Sequence, residues 1–186
     1  MTIDKKDIME KQRASLRQKL TDLLSQWRTE GFPARHGYAE AAKEIIRWKE
    51  ENGIEGLWKD PPLLVTATID DGWGHGLQLI ETWAAVAGMR IHSLGLMKTS
   101  GEIVEACRRL NPDFLGMTVL QFDSEEIVVE IAQALPDKTR LIAGGPVFRY
   151  DPDLAKRAGV HMVAKHAAEF LSYIMAYEPG SGVERG

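Results

Sequence analysis

The sequence predicts an α/β fold: a five-stranded parallel sheet of order 2-1-3-4-5, preceded by a short N-terminal helical module. Three observations carry this. From Leu63 onward, short apolar runs alternate with segments whose apolar residues recur at helical spacing, the pattern of right-handed β-α-β crossovers. Two of the runs, 63–69 and 114–119, are nearly continuously apolar, as strands covered on both faces are. A third, Met89-Arg90-Ile91-His92-Ser93, alternates and suits an edge. The result is a flavodoxin-like (Rossmann-like) sheet whose ligands gather at the switch point between strands one and three.

The elements follow in order. Leu16, Leu20, Leu23 and Trp27 make one apolar stripe on a first helix, and Tyr38, Ala41, Ile45 and Trp48 make another on a second. Gly31-Phe32-Pro33 separates them. Two such helices cannot close a core alone, so the stripes are expected to pack on the main domain or on a second copy of the chain. The run 53–62 ends in Pro61-Pro62 and reads as a linker. Strands are expected at 63–69, 89–94, 114–119, 140–143 and 160–163. Helices are expected at 77–87, 100–110, 124–135, 152–158 and 167–176. The domains are therefore a helical module with its linker (1–62), an α/β domain (63–177) and a tail (178–186) of Gly, Ser and charge, expected to be disordered. Trp27, Trp48 and Trp58 are expected to be packing residues.

Composition narrows the function classes. The formal net charge is −4 and no basic tract occurs, which argues against nucleic acid as a partner. No run approaches the ~20 apolar residues of a membrane span. The charged start Met1-Thr2-Ile3-Asp4-Lys5-Lys6-Asp7 has no hydrophobic signal core, so a cytoplasmic location is expected. Cys107 is the single cysteine and sits at a helical position expected to be buried, which excludes an internal disulfide.

Three loops leave the carboxyl edge of such a sheet. The first is Asp71-Gly72-Trp73-Gly74-His75-Gly76, with three glycines, one carboxylate, one imidazole and one indole. The third strand runs out through Thr118, Val119, Leu120 and Gln121, offering a hydroxyl and an amide. The fourth ends in Gly144-Gly145-Pro146, which leaves a groove beside the sheet. Asp71 could equally cap the helix that follows it. A phosphoacceptor receiver also carries acidic residues after its first strand, as Asp70 and Asp71 stand here. It needs an aspartate at the end of the third strand, where this chain has Met117-Thr118.

These three loops resemble those of the cobalamin (vitamin B12)-binding domain of corrinoid proteins in methyltransferase systems, methionine synthase and B12-dependent mutases. The family pattern is Asp-x-His-x-x-Gly, then Ser-x-Leu, then Gly-Gly. Here stand Asp71 to Gly76, then Thr118-Val119-Leu120, then Gly144-Gly145. The resemblance covers about residues 63 to 176, including the closing stretch Gly159-Val160-His161-Met162-Val163-Ala164-Lys165-His166-Ala167-Ala168-Glu169. It implies that the cofactor's nucleotide tail enters a slot between the first loop and the Gly-Gly strand. It further implies that the hydroxyl of Thr118 contacts that tail, and that Leu120, Gly144 and Gly145 line the slot.

One departure matters. The family histidine that binds cobalt aligns with Trp73, and an indole nitrogen donates only. Three arrangements stay open. The cobalt has no protein ligand, or the cofactor keeps its own dimethylbenzimidazole, or His75 becomes the metal ligand with Asp71 orienting it. The resemblance implies a corrinoid methyl-group carrier, loaded with methylcobalamin or hydroxocobalamin, that serves a separate methyltransferase or other partner protein. In relatives an N-terminal helical module covers the corrin. Here it is shorter, so the cap is either reduced or completed by a homodimer through these helices. The other readings are a corrinoid- or tetrapyrrole-binding sensory domain and a cofactor-free interaction module.

Overall fold

The computed structural model describes residues 5–70 and 75–179, apart from the side chain of Phe122. Five parallel strands form one sheet: β1 (Leu63–Thr68), β2 (Arg90–Gly95), β3 (Phe114–Thr118), β4 (Arg140–Gly144) and β5 (Met162–Val163). Their order is β2-β1-β3-β4-β5, as the apolar runs require. The continuous runs became the interior strands β1 and β3, and the alternating run became the exposed edge β2. Register places Thr68 opposite Thr118 and Thr118 opposite Gly144, so these three residues form one row across the carboxyl edge. β5 is shorter than the run 160–163. His161 pairs with Leu141 partly through its ring, since the Leu141 amide donates to Nδ1 at 3.0 Å.

Two apolar layers enclose the sheet. On one face lie α3 (His75–Ala87) and α8 (Ala167–Met175), backed by α1 (Lys5–Glu30) and α2 (Arg35–Glu51). On the other lie α4 (Ser100–Leu110), α5 (Glu125–Ala134), α6 (Val147–Tyr150) and α7 (Leu154–Arg157). The helix expected at 152–158 is shorter and has a partner before it. Pro146 opens α6, and the chain breaks at Asp151-Pro152, where proline lacks the N–H a continuing helix needs. Cys107 is buried on α4, which pushes its thiol up to about 12.

The helical stripes close within the chain, against α3 and α8. The buried set on α1 is Leu16, Leu20, Leu24 and Trp27, with Leu23 only partly covered. On α2 it is Tyr38, Ala42, Ile45 and Lys49, one residue round from the expected Ala41 and Trp48. The shift has a polar cause. The Lys49 ammonium donates to the carbonyls of Ala85 (3.0 Å) and Val86 (2.8 Å), at the negative end of the α3 dipole. Trp27 meets Tyr38 and Trp83 edge-on, at ring separations of 5.0 and 5.4 Å. The Trp58 indole donates to the Tyr177 carbonyl at 3.1 Å. These tryptophans hold the module to the domain, and Trp48 lies partly buried beneath the Lys19 ammonium. Among the described residues no helix is long and apolar enough to cross a membrane.

Candidate functional site

At the carboxyl edge the chain ties β1 to the loop after β3. Asp70, which follows β1, is buried, and its carboxylate accepts the Leu120 amide hydrogen at 2.6 Å. The Thr68 hydroxyl donates to the Thr118 carbonyl at 3.0 Å and accepts the Asp70 amide at 3.2 Å. Both loops are thereby held at fixed positions beside the start of α3.

Glycines let the chain pack closely on itself next to this junction, and a slot opens beside them. A Cβ on Gly76 would sit 3.0 Å from the Thr118 hydroxyl, and one on Gly144 would sit 3.0 Å from the Ala164 carbonyl. At Gly145 the backbone has φ +124° and a Cβ would lie 2.0 Å from the Val119 carbonyl oxygen, so no side chain fits. The cavity between these strand ends measures about 410 Å³, within the range of small-molecule sites. Leu79, Ile80, Leu120 and Val163 give it apolar walls, and Thr118 supplies a hydroxyl.

Of the residues expected here, Gly76, Thr118, Leu120, Gly144, Gly145 and Pro146 all line the slot. Gln121 does not; it is exposed and precedes the 3-10 turn Phe122–Ser124. His75 opens α3, is exposed, and is not part of the slot wall. Asp71, Gly72, Trp73 and Gly74 lie outside the described residues, as do 180–186 of the expected tail.

The sequence reading missed several residues that the fold brings to the slot. Phe148 and Arg149 come from α6, Lys165 and His166 from the β5–α8 loop, and Arg35 from the helical module. His166 caps α8, its Nδ1 accepting the Glu169 amide at 3.3 Å. Glu169 in turn accepts the Lys165 amide at 2.8 Å, so this loop is fixed by a reciprocal cap. The His166 ring also lies 4.0 Å from that of Phe32 in the turn between α1 and α2. Asp70 was visible as half of an acidic pair after an apolar run. Arg35 had no signal, because nothing local in sequence relates it to the sheet edge.

Fold and site together define a doubly wound α/β domain with a glycine-walled ligand slot at its topological switch point. Residues 64–172 match the model of the B12 binding domain, and the chain belongs to that family. It is a cobalamin-binding domain. Among solved structures it is similar to a cobalamin-binding protein from Desulfitobacterium hafniense DCB-2. That match has 16% identity and TM-score 0.75, covering 90% of this chain and 82% of the other. It is also similar to the monomethylamine corrinoid protein of Methanosarcina barkeri, with 17% identity, TM-score 0.56 and coverage of 92% and 99%. At these identities the two structures support the fold. No curated protein matches the chain.

The slot suits the nucleotide end of a cobalamin. Its lining combines the backbone of Gly76, Gly144 and Gly145 with the apolar side chains of Leu79, Ile80, Leu120 and Val163 and the one hydroxyl of Thr118, a surface that matches a flat base carrying few polar groups. Among the described residues no cluster of three or more His, Cys, Asp or Glu side chains could hold a metal ion.

Proposed function

We propose that this protein is a corrinoid methyl-group carrier that serves a separate methyltransferase, and that it is loaded with methylcobalamin or hydroxocobalamin. When bound, the cofactor supplies a cobalt centre able to take up and hand on a methyl group. The observation that carries the reading is the cavity at the carboxyl edge of the sheet, where Gly76, Thr118, Leu120, Gly144, Gly145 and Pro146 meet in one wall. Thr118 offers its hydroxyl to the tail, while Leu120, Gly144, Gly145 and Pro146 exclude water from the base. Asp70 holds the Leu120 loop in place.

The slot also favours one of the three arrangements left open at the cobalt. A dimethylbenzimidazole lodged in the slot between the first loop and the Gly-Gly strand would not be available to coordinate the metal. With Trp73 at the family's histidine position and His75 exposed outside the slot, this loop would offer the cobalt no protein nitrogen. Because the inner stripes of α1 and α2 are buried within the chain, a homodimer through these helices would have to use their outer faces. We place the protein in the cytoplasm with its partner enzyme.

The test is direct. Purified protein is incubated with hydroxocobalamin or methylcobalamin, desalted, and its absorption spectrum recorded. Retained colour near one equivalent, followed by methylation of the bound corrinoid on adding a donor methyltransferase, is the expected result. Colourless protein overturns the reading; retained colour without methyl transfer to or from any such enzyme points to the sensory alternative.

A further inference from the structure

The chain as a whole is acidic, with a formal net charge of −4, yet the slot is bordered by cations from three separate elements. Arg35 begins α2, Arg149 lies on α6, and Lys165 lies in the loop before α8; all three are exposed and all line the cavity. Among the described residues none of them forms an ion pair. The neighbouring acids are already engaged. Asp151, two residues beyond Arg149, holds Arg157 at 2.7 Å, and Arg157 also takes Glu125 at 2.8 Å. Glu169, near Lys165, accepts that residue's backbone amide and lies 3.9 Å from the His166 imidazole. Among the described residues these three cations therefore have no carboxylate partner, around a cavity whose walls are mostly apolar.

An apolar slot edged by guanidinium and ammonium groups suits a ligand with an aromatic end and an anionic linker. Guanidinium groups bind phosphate oxygens through charge-assisted hydrogen bonds. We infer that Arg35, Arg149 and Lys165 form a cationic rim that reads the phosphodiester of the cofactor's nucleotide tail, so that the site selects a complete cobalamin over a corrinoid lacking its nucleotide. This rests on the slot being the site of the nucleotide tail. It assigns the N-terminal module a place in that site, because Arg35 belongs to α2.

The experiment titrates the protein, and the variants Arg35→Gln, Arg149→Gln and Lys165→Gln, with three probes: hydroxocobalamin, dicyanocobinamide and α-ribazole phosphate. The first carries the tail, the second lacks it, and the third is the nucleotide alone. Each variant should bind hydroxocobalamin about three- to fivefold more weakly, the scale of one exposed charge contact. The double variant Arg35→Gln/Arg149→Gln should lose about tenfold or more. Affinity for dicyanocobinamide should not change, and the dependence of hydroxocobalamin binding on salt should flatten. Arg35→Lys should restore most of the loss at that position. Circular dichroism identifies any variant that fails to fold, and the wild-type salt dependence then replaces it as the readout. Equal weakening for hydroxocobalamin and dicyanocobinamide, or salt-independent wild-type binding, overturns the rim. If wild-type protein binds α-ribazole phosphate in a rim-dependent way but retains no cobalamin, the rim stands and the carrier reading fails. If it retains cobalamin and the variants match wild type, the carrier reading stands and the rim fails.

Discussion

Two buried or half-buried carboxylates stitch β1 to β3, one at each end of the sheet, and their surroundings differ. At the amino end, Asp113 accepts the Leu63 amide at 2.8 Å, the Tyr177 hydroxyl at 2.8 Å and the Lys138 ammonium at 3.4 Å. The ring of Tyr177 in turn meets that of Phe114, the residue after Asp113, at 4.7 Å. At the carboxyl end, Asp70 accepts the Leu120 amide, and what lies alongside is a row of glycines and a cavity. The same backbone device, spanning fifty residues in both cases, closes one end of the molecule and frames an opening at the other. On the proposed reading, the first carboxylate serves the fold alone, and the second serves both the fold and the ligand.

Substitutions at the two ends should therefore separate the two properties. The largest effect is expected at Gly145. Gly145→Val forces a side chain onto the Val119 carbonyl in a backbone conformation that L residues rarely adopt. A loss of about 3 kcal/mol or more in urea unfolding is expected, together with no retained cobalamin after desalting. Next, Asp113→Ala should cost about 2–3 kcal/mol, because it strands the Leu63 amide and the Tyr177 hydroxyl. The protein that remains folded should bind cobalamin as tightly as wild type. Asp70→Ala should cost somewhat less, about 1.5–2 kcal/mol, yet weaken cobalamin about tenfold by freeing the Leu120 loop. If Asp113→Ala impaired binding as much as Asp70→Ala, the division between the two ends would not hold.

The amino end also carries a pH signature. Burial opposes ionisation of Asp113, but the hydrogen bonds from Leu63 and Tyr177 and the charge of Lys138 outweigh it and hold the carboxyl below its usual range. Its contribution is present above the unfolded pKa of about 4 and is lost as pH falls through the lower folded value. Burial, and then the hydrogen bond to Asp113, push Tyr177 up to about 12. That contribution is complete below the unfolded value near 10 and disappears as pH rises through about 12. Thermal unfolding across pH should show both limbs in wild type and a flattened acid limb in Asp113→Asn. The smallest effect is expected at Thr118→Val, which removes one hydroxyl from the slot at nearly constant shape. Cobalamin affinity should fall about fivefold, with stability changed by less than ~1 kcal/mol.

Much of this was legible in the sequence because the signals are local. The continuous runs at β1 and β3 and the alternation at β2 set the strand order, and Thr118 and Gly144-Gly145 fall at strand ends that the topology alone brings together. What was missed depends on distant residues meeting. The place of Arg35 follows from how α2 packs on α3, and the one-residue rotation of the α2 stripe follows from Lys49 reaching the carbonyls of Ala85 and Val86. Hydropathy scores Lys49 as exposed, and only the helix end it meets makes its burial intelligible. The short α6 was hidden as well, since four residues are too few to show a helical period.

The central claim is that the nucleotide tail occupies the slot, leaving no base on the cobalt. The decisive measurement is the electron paramagnetic resonance spectrum of the protein reconstituted with cobalamin and reduced to the cobalt(II) form, with and without nitrogen-15 histidine labelling. The account predicts a spectrum lacking nitrogen superhyperfine splitting, unchanged by the label and unchanged in His75→Ala. A nitrogen triplet indifferent to the label would show the cofactor's own base still on the metal and the slot not holding the tail. A splitting that changes with the label and disappears in His75→Ala would instead put that histidine on the cobalt.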